Sequence, residues 1–332
     1  MHPFTRNLVL AVLSDLTLVQ SSDCAPPSVD PDYGTYLGLY NQEYAQDFFL
    51  GVPYAQPPVG SLRFAAPQPL RESFDEPRNA TEYGWMCIGY GSDTANLGLK
   101  LGDDLPVGSH LNGGSRDPRY NLSYIVQQSV EEKKPIVAVS INYRLSFWGF
   151  LFSKEMEAVG AGNIAFRDQR MALQWLHNNI TGFSGSPDKL TIWGESAGAR
   201  SLGMQLIAYD GMHDGLFRSA ILGSRSPLAK FTNADGWQPY FDALVEKTGC
   251  ANAIDRLDCL KHLPWKTLSA IFNGTNPLNV TAPTLSAVID GDFMTAQASV
   301  LLKQGNFAKV ALLTGNNFDE GTAYAKQGIS TD

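Results

Sequence analysis

From residue 135 onward, apolar segments of strand length alternate with segments whose apolar positions have helical spacing. The strand-length segments, which are rich in Val, Ile and Leu, lie at 136–142, 189–193, 217–224 and 310–315. The helical segments lie at 167–178 and 197–208. Strands that alternate with helices predict an α/β fold, with a mainly parallel central sheet covered on both faces by helices.

The N-terminal part of the chain has a different pattern. Residues 34–40 and 48–54 predict an antiparallel hairpin ahead of the alternating region. Residues 95–118 contain one short apolar stretch, Leu105-Pro106-Val107, among Gly, Asp, Ser and Asn. No strand is predicted there, so we expect a gap in the sheet in this part of the chain.

The composition is that of a folded protein. Of the 332 residues, 44% are hydrophobic and 17% are charged, and the formal net charge is −8. This length fits one large α/β unit or two smaller domains. The negative charge and the lack of a dense Lys/Arg tract argue against nucleic-acid binding, which requires clustered cations.

Residues 1–21 have the pattern of a secretory signal peptide. Arg6 precedes an apolar run at 8–19 that contains Asp15. The small side chain of Ser21 suits cleavage by signal peptidase after this residue. The run is 12 residues long, whereas a membrane-spanning helix needs about 20. We therefore expect a secreted chain without stable membrane insertion.

Secretion would expose the chain to glycosylation and to an oxidising environment. Five N-x-[ST] sequons are candidate glycosylation sites, at Asn79, Asn121, Asn179, Asn273 and Asn279. Of the four cysteines, Cys250 and Cys259 bracket a short loop and are expected to form a disulfide. Cys24 and Cys87 have no evident partner. Neither H-E-x-x-H nor paired C-x-x-C is present, so no metal site is predicted.

The segment Gly194-Glu195-Ser196-Ala197-Gly198 is the strongest candidate for chemistry. It is a G-x-S-x-G sequence that directly follows a predicted strand and directly precedes a predicted helix. Glycines allow the sharp turn that lifts the Ser196 hydroxyl above the sheet, and the Ala197 N–H then faces the oxygen that becomes negative during acyl transfer. The alternative, an ordinary serine in a glycine-rich turn, does not account for this placement.

The chain resembles the fungal type-B carboxylesterases and lipases, an α/β-hydrolase family that includes the cholinesterases. The segments that carry the resemblance lie at 49–60, 140–145, 167–175, 194–198 and 317–321. It implies a single α/β-hydrolase domain over 22–332, corresponding to the N-terminal portion of the family's domain. It also implies hydrolysis of small-molecule or lipid carboxylic esters through an acyl-serine intermediate, without a cofactor. Ser196 would be the nucleophile, Glu320 the acid of the triad, and Cys250–Cys259 one of the family's disulfides.

The catalytic base of the family has no counterpart at the expected position. In this fold the triad order is Ser, acid, His, and none of the 12 residues after Glu320 is a histidine. Of the five histidines, His110 is the most plausible substitute, since the others lie in segments with ordinary structural explanations. We expect the 332-residue chain by itself to have little or no esterase turnover.

A second departure lies near the predicted gap. The family has an apolar strand ending in H-G-G-G, whose amides complete the oxyanion hole, whereas residues 108–115 read GSHLNGGS. Gly113 and Gly114 are the candidate donors, and the E-D-C-L segment whose cysteine would pair with Cys87 is missing. Three interpretations stay open: an ester hydrolase, an inactive secreted scaffold that binds a partner, and an incomplete gene product.

Overall fold

The computed structural model describes residues 25–90, 110, 113–274 and 277–320. The predicted signal peptide at 1–21 and Cys24 lie outside the described residues. Most of the predicted gap between residues 95 and 112 lies outside them as well.

Eight strands in the described residues form three sheets. The strands are β1 (Ser28–Val29), β2 (Tyr36–Leu37), β3 (Leu39–Asn41), β4 (Gln46–Phe48), β5 (Arg78–Asn79), β6 (Thr191–Glu195), β7 (Ser219–Gly223) and β8 (Ala311–Gly315). β2 pairs antiparallel with β1 and parallel with β5, and β3 and β4 form an antiparallel hairpin. The predicted hairpin is therefore present but shorter, because β2 pairs elsewhere. β6, β7 and β8 form a parallel sheet.

Nine α-helices lie in the described ranges. They are α1 (Ser123–Glu131), α2 (Ser146–Phe150), α3 (Lys154–Ala158), α4 (Ile164–Asn179), α5 (Ala197–Ile207), α6 (Ala234–Lys247), α7 (Arg256–His262), α8 (Trp265–Phe272) and α9 (Ala298–Gln304). The side chains of Ser153, Asn233 and Asp255 accept hydrogen bonds from the first turns of α3, α6 and α7, which fixes where these helices begin. None of the helices is long and apolar enough to span a bilayer.

The parallel sheet is covered by helices on one face. Its apolar core against α4 and α5 contains Leu173, Ile192, Ala199, Leu206, Phe217 and Ala220. On the other face, Trp193, Ile221 and Leu313 are in register, and Trp193 and Leu313 are 59% and 64% exposed. The predicted α/β fold, with a mainly parallel sheet flanked by helices, is confirmed, and the second face of the three described parallel strands is exposed at Trp193 and Leu313.

The segment 136–142 is not a strand in the structure. Ile136, Val137 and Val139 are 45–47% exposed although they are apolar and β-branched. A run of this kind becomes a strand only where a neighbouring strand completes its hydrogen bonds, and no described strand pairs with it. The prediction was wrong because the residues of this segment alone do not show whether a second strand pairs with it.

A buried ion pair joins the segment after 136–142 to α4. The Arg144 guanidinium donates two hydrogen bonds to the Asp168 carboxylate, at 2.6 and 2.8 Å, and a third to the Ala65 carbonyl at 2.7 Å. The Arg144 backbone N–H also donates to Asp168, at 3.0 Å. Both side chains are almost fully buried, and paired geometry with several hydrogen bonds is what a buried charge requires.

The predicted disulfide between Cys250 and Cys259 is confirmed. It joins the end of α6 to α7, and its Cα atoms are 5.7 Å apart. Cys250 is buried in the core with Trp237 and Phe241. Cys87 is the free cysteine within the described residues.

We expect Arg144→Ala to lower the free energy of unfolding by about 3–5 kcal/mol, because it leaves the Asp168 carboxylate buried without a counter-charge. Lys154→Ala is the matched control, since it breaks the exposed Lys154–Asp235 pair, and a solvent-exposed pair contributes little to stability. Urea unfolding of the three proteins measures both effects. Similar losses in the two variants would contradict the role assigned to the buried pair.

Candidate active site

Ser196 lies in the turn between β6 and α5, where the sequence places it. Its backbone has φ = 50° and ψ = −111°, a positive φ that side chains other than glycine rarely adopt. The Ser196 N–H donates to the Gly223 carbonyl at 2.9 Å, which ties the turn to the end of β7. A strained backbone of this kind costs about 1–3 kcal/mol, and such residues are concentrated at functional sites.

The turn depends on Gly194 more than on Gly198. A Cβ atom at Gly194 would lie 2.5 Å from the carbonyl carbon of Gly198, so no side chain fits there. A Cβ atom at Gly198 would meet nothing within 4 Å. The sequence interpretation treated both glycines as necessary, but the structure requires glycine by close contact only at Gly194. Gly198 instead leaves open space beside Ser196.

The Ala197 N–H is available to bind an oxyanion. Ala197 is the first residue of α5, and the first N–H groups of a helix have no acceptor within the helix. No hydrogen bond from this N–H to a described residue is present. The positive end of the helix dipole adds to its affinity for a developing negative charge.

The other two candidate oxyanion donors lie near the end of segment 136–142. Gly113 has φ = 103° with open space around its Cα, and Gly114 packs against Met86 and Asn142. The neighbouring Ser115 N–H donates to the Asn142 side chain at 2.8 Å. These contacts anchor Gly114, and the oxyanion role of Gly113 and Gly114 stays a prediction.

Glu320 lies just after β8 and is held by two hydrogen bonds. Its carboxylate accepts one from the Ser224 hydroxyl and one, at 3.0 Å, from the Asn317 N–H. These bonds lower the pKa of Glu320, which keeps the carboxylate ionised. The Ser224 N–H donates to the Gly315 carbonyl at 2.8 Å, so the ends of β7 and β8 are joined here.

Sequence reasoning missed two residues of this site, Ser224 and Glu195. Ser224 directly follows β7, as Ser196 directly follows β6. This shared position after a parallel strand could have identified Ser224 from the sequence. The Glu195 side chain packs across Gly223, about 3.5 Å from where its Cβ would lie. Burial and the nearby charge of Glu320 raise the pKa of Glu195, while the charge of Arg225 opposes the shift.

His110 is buried away from solvent and is not positioned as a base for Ser196. It is 1% exposed, it stacks on Phe150 with ring centroids 4.7 Å apart, and its Nδ1 lies 3.3 Å from the Tyr143 hydroxyl. Burial, with a contribution from the charge of Arg200, lowers the pKa of His110 to about 3. The imidazole therefore stays neutral within an aromatic core.

The other described histidines also lie elsewhere. His213 packs on Phe217, and His262 is bonded to the Asp258 carbonyl within α7. His177 lies on α4. None of the histidines in the described part of the chain has a hydrogen bond to Ser196 or Glu320, so no described histidine is placed as the base.

Four of the five sequons are exposed and one is buried. Asn79, Asn121, Asn273 and Asn279 are exposed. Asn179 is 3% exposed, and its amide donates to the Trp175 carbonyl at 2.8 Å and accepts from the Asp32 N–H at 2.9 Å. The predicted glycan at Asn179 is therefore wrong, because the amide that would carry it is enclosed and bonded.

The sequence profile of the carboxylesterase family matches residues 25–104 and 105–332. The chain belongs to the carboxylesterase family. The break between the two matched segments of this carboxylesterase profile falls inside residues 95–118, where the sequence lacks a predicted strand.

Other members of the carboxylesterase family are similar over most of this chain. "Lipase 4" of Diutina rugosa is 34% identical over 365 residues, covering 95% of this chain and 66% of the relative. "Secreted lipase 1" of Botryotinia fuckeliana is 35% identical over 336 residues, covering 85% of this chain and 58% of the relative. The crystal structure of Aspergillus niger EstA superposes with a TM-score of 0.78 at 31% identity, and the match covers 92% of this chain and 63% of EstA. The chain thus spans 58–66% of the length of these three proteins.

We expect Gly194→Ala to lower the free energy of unfolding by about 1–3 kcal/mol, because the new methyl group would overlap the backbone of α5. Gly198→Ala is the control. Its methyl group would meet no described atom outside α5 within 4 Å and alanine is favoured in helices, so it should be neutral or stabilising by up to about 1 kcal/mol. Thermal unfolding measures both variants, and a loss of stability in Gly198→Ala as large as in Gly194→Ala would refute the assignment.

We expect Ser224→Ala to raise the pKa of Glu320 toward its usual value, because one of the two hydrogen bonds that stabilise the carboxylate is lost. Ser226→Ala is the control, since the Ser226 hydroxyl bonds to the Leu228 N–H instead. The carboxyl carbon of Glu320 can be titrated by NMR in each protein. An unchanged pKa in Ser224→Ala would exclude this support.

Proposed function

We propose that this chain provides the nucleophile and acid of a carboxylic ester hydrolase. The Ser196 oxygen attacks the ester carbonyl carbon, the C–O bond to the alcohol breaks, and an acyl-serine forms. The alcohol leaves with the proton that the Ser196 hydroxyl lost; water then attacks the acyl carbon, its OH becomes part of the carboxylic acid, and its other proton returns to the Ser196 oxygen. Between these steps the negative carbonyl oxygen is stabilised by the Ala197 N–H, with Gly113 and Gly114 as further donors.

The observation that carries this proposal is the strained backbone of Ser196 next to an unoccupied Ala197 N–H. A scaffold that only binds a partner would have no reason to retain this strain or to hold Glu320 ionised. The orientation of Glu320 supports an imidazole base, which it would position and stabilise electrostatically. No histidine is present among residues 321–332, and no described histidine is hydrogen-bonded to Glu320.

The similar proteins also support a substrate class and a site of action. Relatives bearing the names lipase and secreted lipase support a small-molecule or lipid ester as substrate and a location outside the cell. The Cys250–Cys259 disulfide supports the same location, because disulfides persist in oxidising compartments. The four exposed sequons are the glycosylation sites that we propose.

We expect the chain alone to hydrolyse p-nitrophenyl acetate no faster than Ser196→Ala. In a serine protease the loss of the histidine lowers kcat by about 10⁶. Added imidazole should then increase the rate more for the unmodified chain than for Ser196→Ala, because imidazole can accept the Ser196 proton beside Glu320. The rate measured with Ser196→Ala gives the reaction of imidazole with the ester in solution, and this rate is subtracted from that of the unmodified chain.

Glu320→Gln is the second control for this experiment. It keeps the hydrogen-bonding shape but removes the charge, so it should lower the imidazole-dependent part of the rate. Equal rates for the unmodified chain and Ser196→Ala at every imidazole concentration would reject the hydrolase and favour the inactive scaffold. Turnover without imidazole that Ser196→Ala abolishes would show that a histidine in this chain reaches Ser196.

A further inference from the structure

The residue that follows the candidate oxyanion pair Gly113-Gly114 is bonded at two atoms. The Ser115 N–H donates to the side-chain oxygen of Asn142 at 2.8 Å, and the Ser115 hydroxyl lies 2.8 Å from the Ser140 hydroxyl. Both partners belong to the segment 136–142. The glycine loop is therefore attached to this segment directly after the glycine pair.

Asn142 is itself held in place and packs against Gly114. Its backbone carbonyl accepts a hydrogen bond from the Tyr54 hydroxyl at 2.8 Å. Burial raises the pKa of Tyr54, so the phenol keeps the proton that it donates. A Cβ atom at Gly114 would lie 3.1 Å from the Asn142 Oδ1 and 2.3 Å from the Met86 Sδ. Gly114 is therefore packed between these two side chains, without room for a side chain of its own.

Further polar contacts connect this segment to the helix that carries Ala197. The buried Arg144–Asp168 pair joins the residues just after the segment to α4. At the next position of α4, the Gln169 amide donates to the Ser201 hydroxyl at 3.1 Å. Ser201 lies on α5, which begins at Ala197. The glycine loop and α5 are thus joined through α4, and fixed relative positions are what the donors of an oxyanion hole require.

We propose that Asn142 is a positioning residue of the oxyanion hole. Through Ser115 it holds the Gly114 N–H in a fixed position relative to the Ala197 N–H. The inference rests on the proposed ester hydrolase, in which both N–H groups stabilise the negative carbonyl oxygen. Asn142 does not contact the ester in this arrangement. Its loss should therefore weaken a contact made in the transition state and leave ground-state binding of the ester unchanged.

The sequence offers a selective probe of this contact. Gly113-Gly114 is the one Gly–Gly pair in the 332 residues. In a chain labelled with ¹⁵N-glycine and ¹³C-carbonyl glycine, the Gly114 nitrogen is therefore the one that is bonded to a labelled carbonyl carbon. NMR relaxation of this amide should give an order parameter of about 0.85 in the unmodified chain and below about 0.6 in Asn142→Ala. Asn142→Asp keeps an oxygen at the same position and should keep the order.

Asn179→Ala is the matched control. The buried Asn179 amide also accepts a backbone N–H, that of Asp32, at 2.9 Å. Asn179 lies at the end of α4, before β6 begins, whereas Ser196 lies after β6 ends. The variant should be less stable and yet keep the order of Gly114. Unchanged order in Asn142→Ala, or an equal loss of order in the two alanine variants, would overturn the proposal.

Asn142→Asp also decides the question if circular dichroism shows that Asn142→Ala does not fold. The introduced carboxylate accepts the Ser115 N–H, and protonation near its usual pKa of about 4 weakens that bond. The Gly114 amide shift should then change with pH in this variant and much less in the unmodified chain. The same pH dependence in the two proteins would refute the contact.

Steady-state kinetics separates positioning from a general loss of structure. In imidazole-dependent hydrolysis of p-nitrophenyl acetate, Asn142→Ala should lower kcat about 10-fold, less than the roughly 10²- to 10³-fold cost of removing an oxyanion donor. KM should stay unchanged, because the contact is made in the transition state. Asn179→Ala should change neither constant.

The kinetic and NMR results together distinguish the two proposals. An unchanged kcat in Asn142→Ala with a disordered Gly114 would overturn the positioning role and leave the hydrolase standing. Absence of Ser196-dependent turnover in every protein would refute the hydrolase, and the NMR comparison would still decide whether Asn142 holds Gly114.

Discussion

The close approach of α5 to the end of β6 determines where the groups of the site lie. Because Gly194 has no side chain, the backbone of Gly198 can pack directly on it, and the chain must reverse at Ser196. The Ser196 N–H then reaches the end of β7, whose next residue, Ser224, reaches β8 and Glu320. One steric contact at a glycine therefore sets the arrangement of groups from three strands.

The two carboxylates at this edge of the sheet have pKa values that are shifted in opposite directions by their surroundings. Hydrogen bonds hold Glu320 ionised, whereas burial and the neighbouring carboxylate shift Glu195 toward its neutral form. The charge of Arg225 acts on both carboxylates. Charges of both signs therefore lie at the ends of these strands, with Glu195 on β6, Arg225 after β7 and Glu320 after β8.

Features encoded by adjacent residues could be predicted, and features that depend on distant neighbours could not. β6, Ser196 and α5 are contiguous, so one short motif identified all three. The segment 136–142 has the composition of a strand but no described partner, and Asn179 has a valid sequon but a buried amide. Ser224 was missed because its role depends on Glu320, 96 residues away.

The burial of Cys87 has a consequence for the chemistry of the other cysteines. The Leu145 N–H donates to its sulfur at 3.3 Å, and desolvation raises the pKa of the thiol to about 11. Only a thiolate attacks a disulfide, so this sulfur is almost inert near neutral pH. Once folded, the described part of the chain can carry the Cys87 thiol together with the Cys250–Cys259 bond without exchange between these sulfurs.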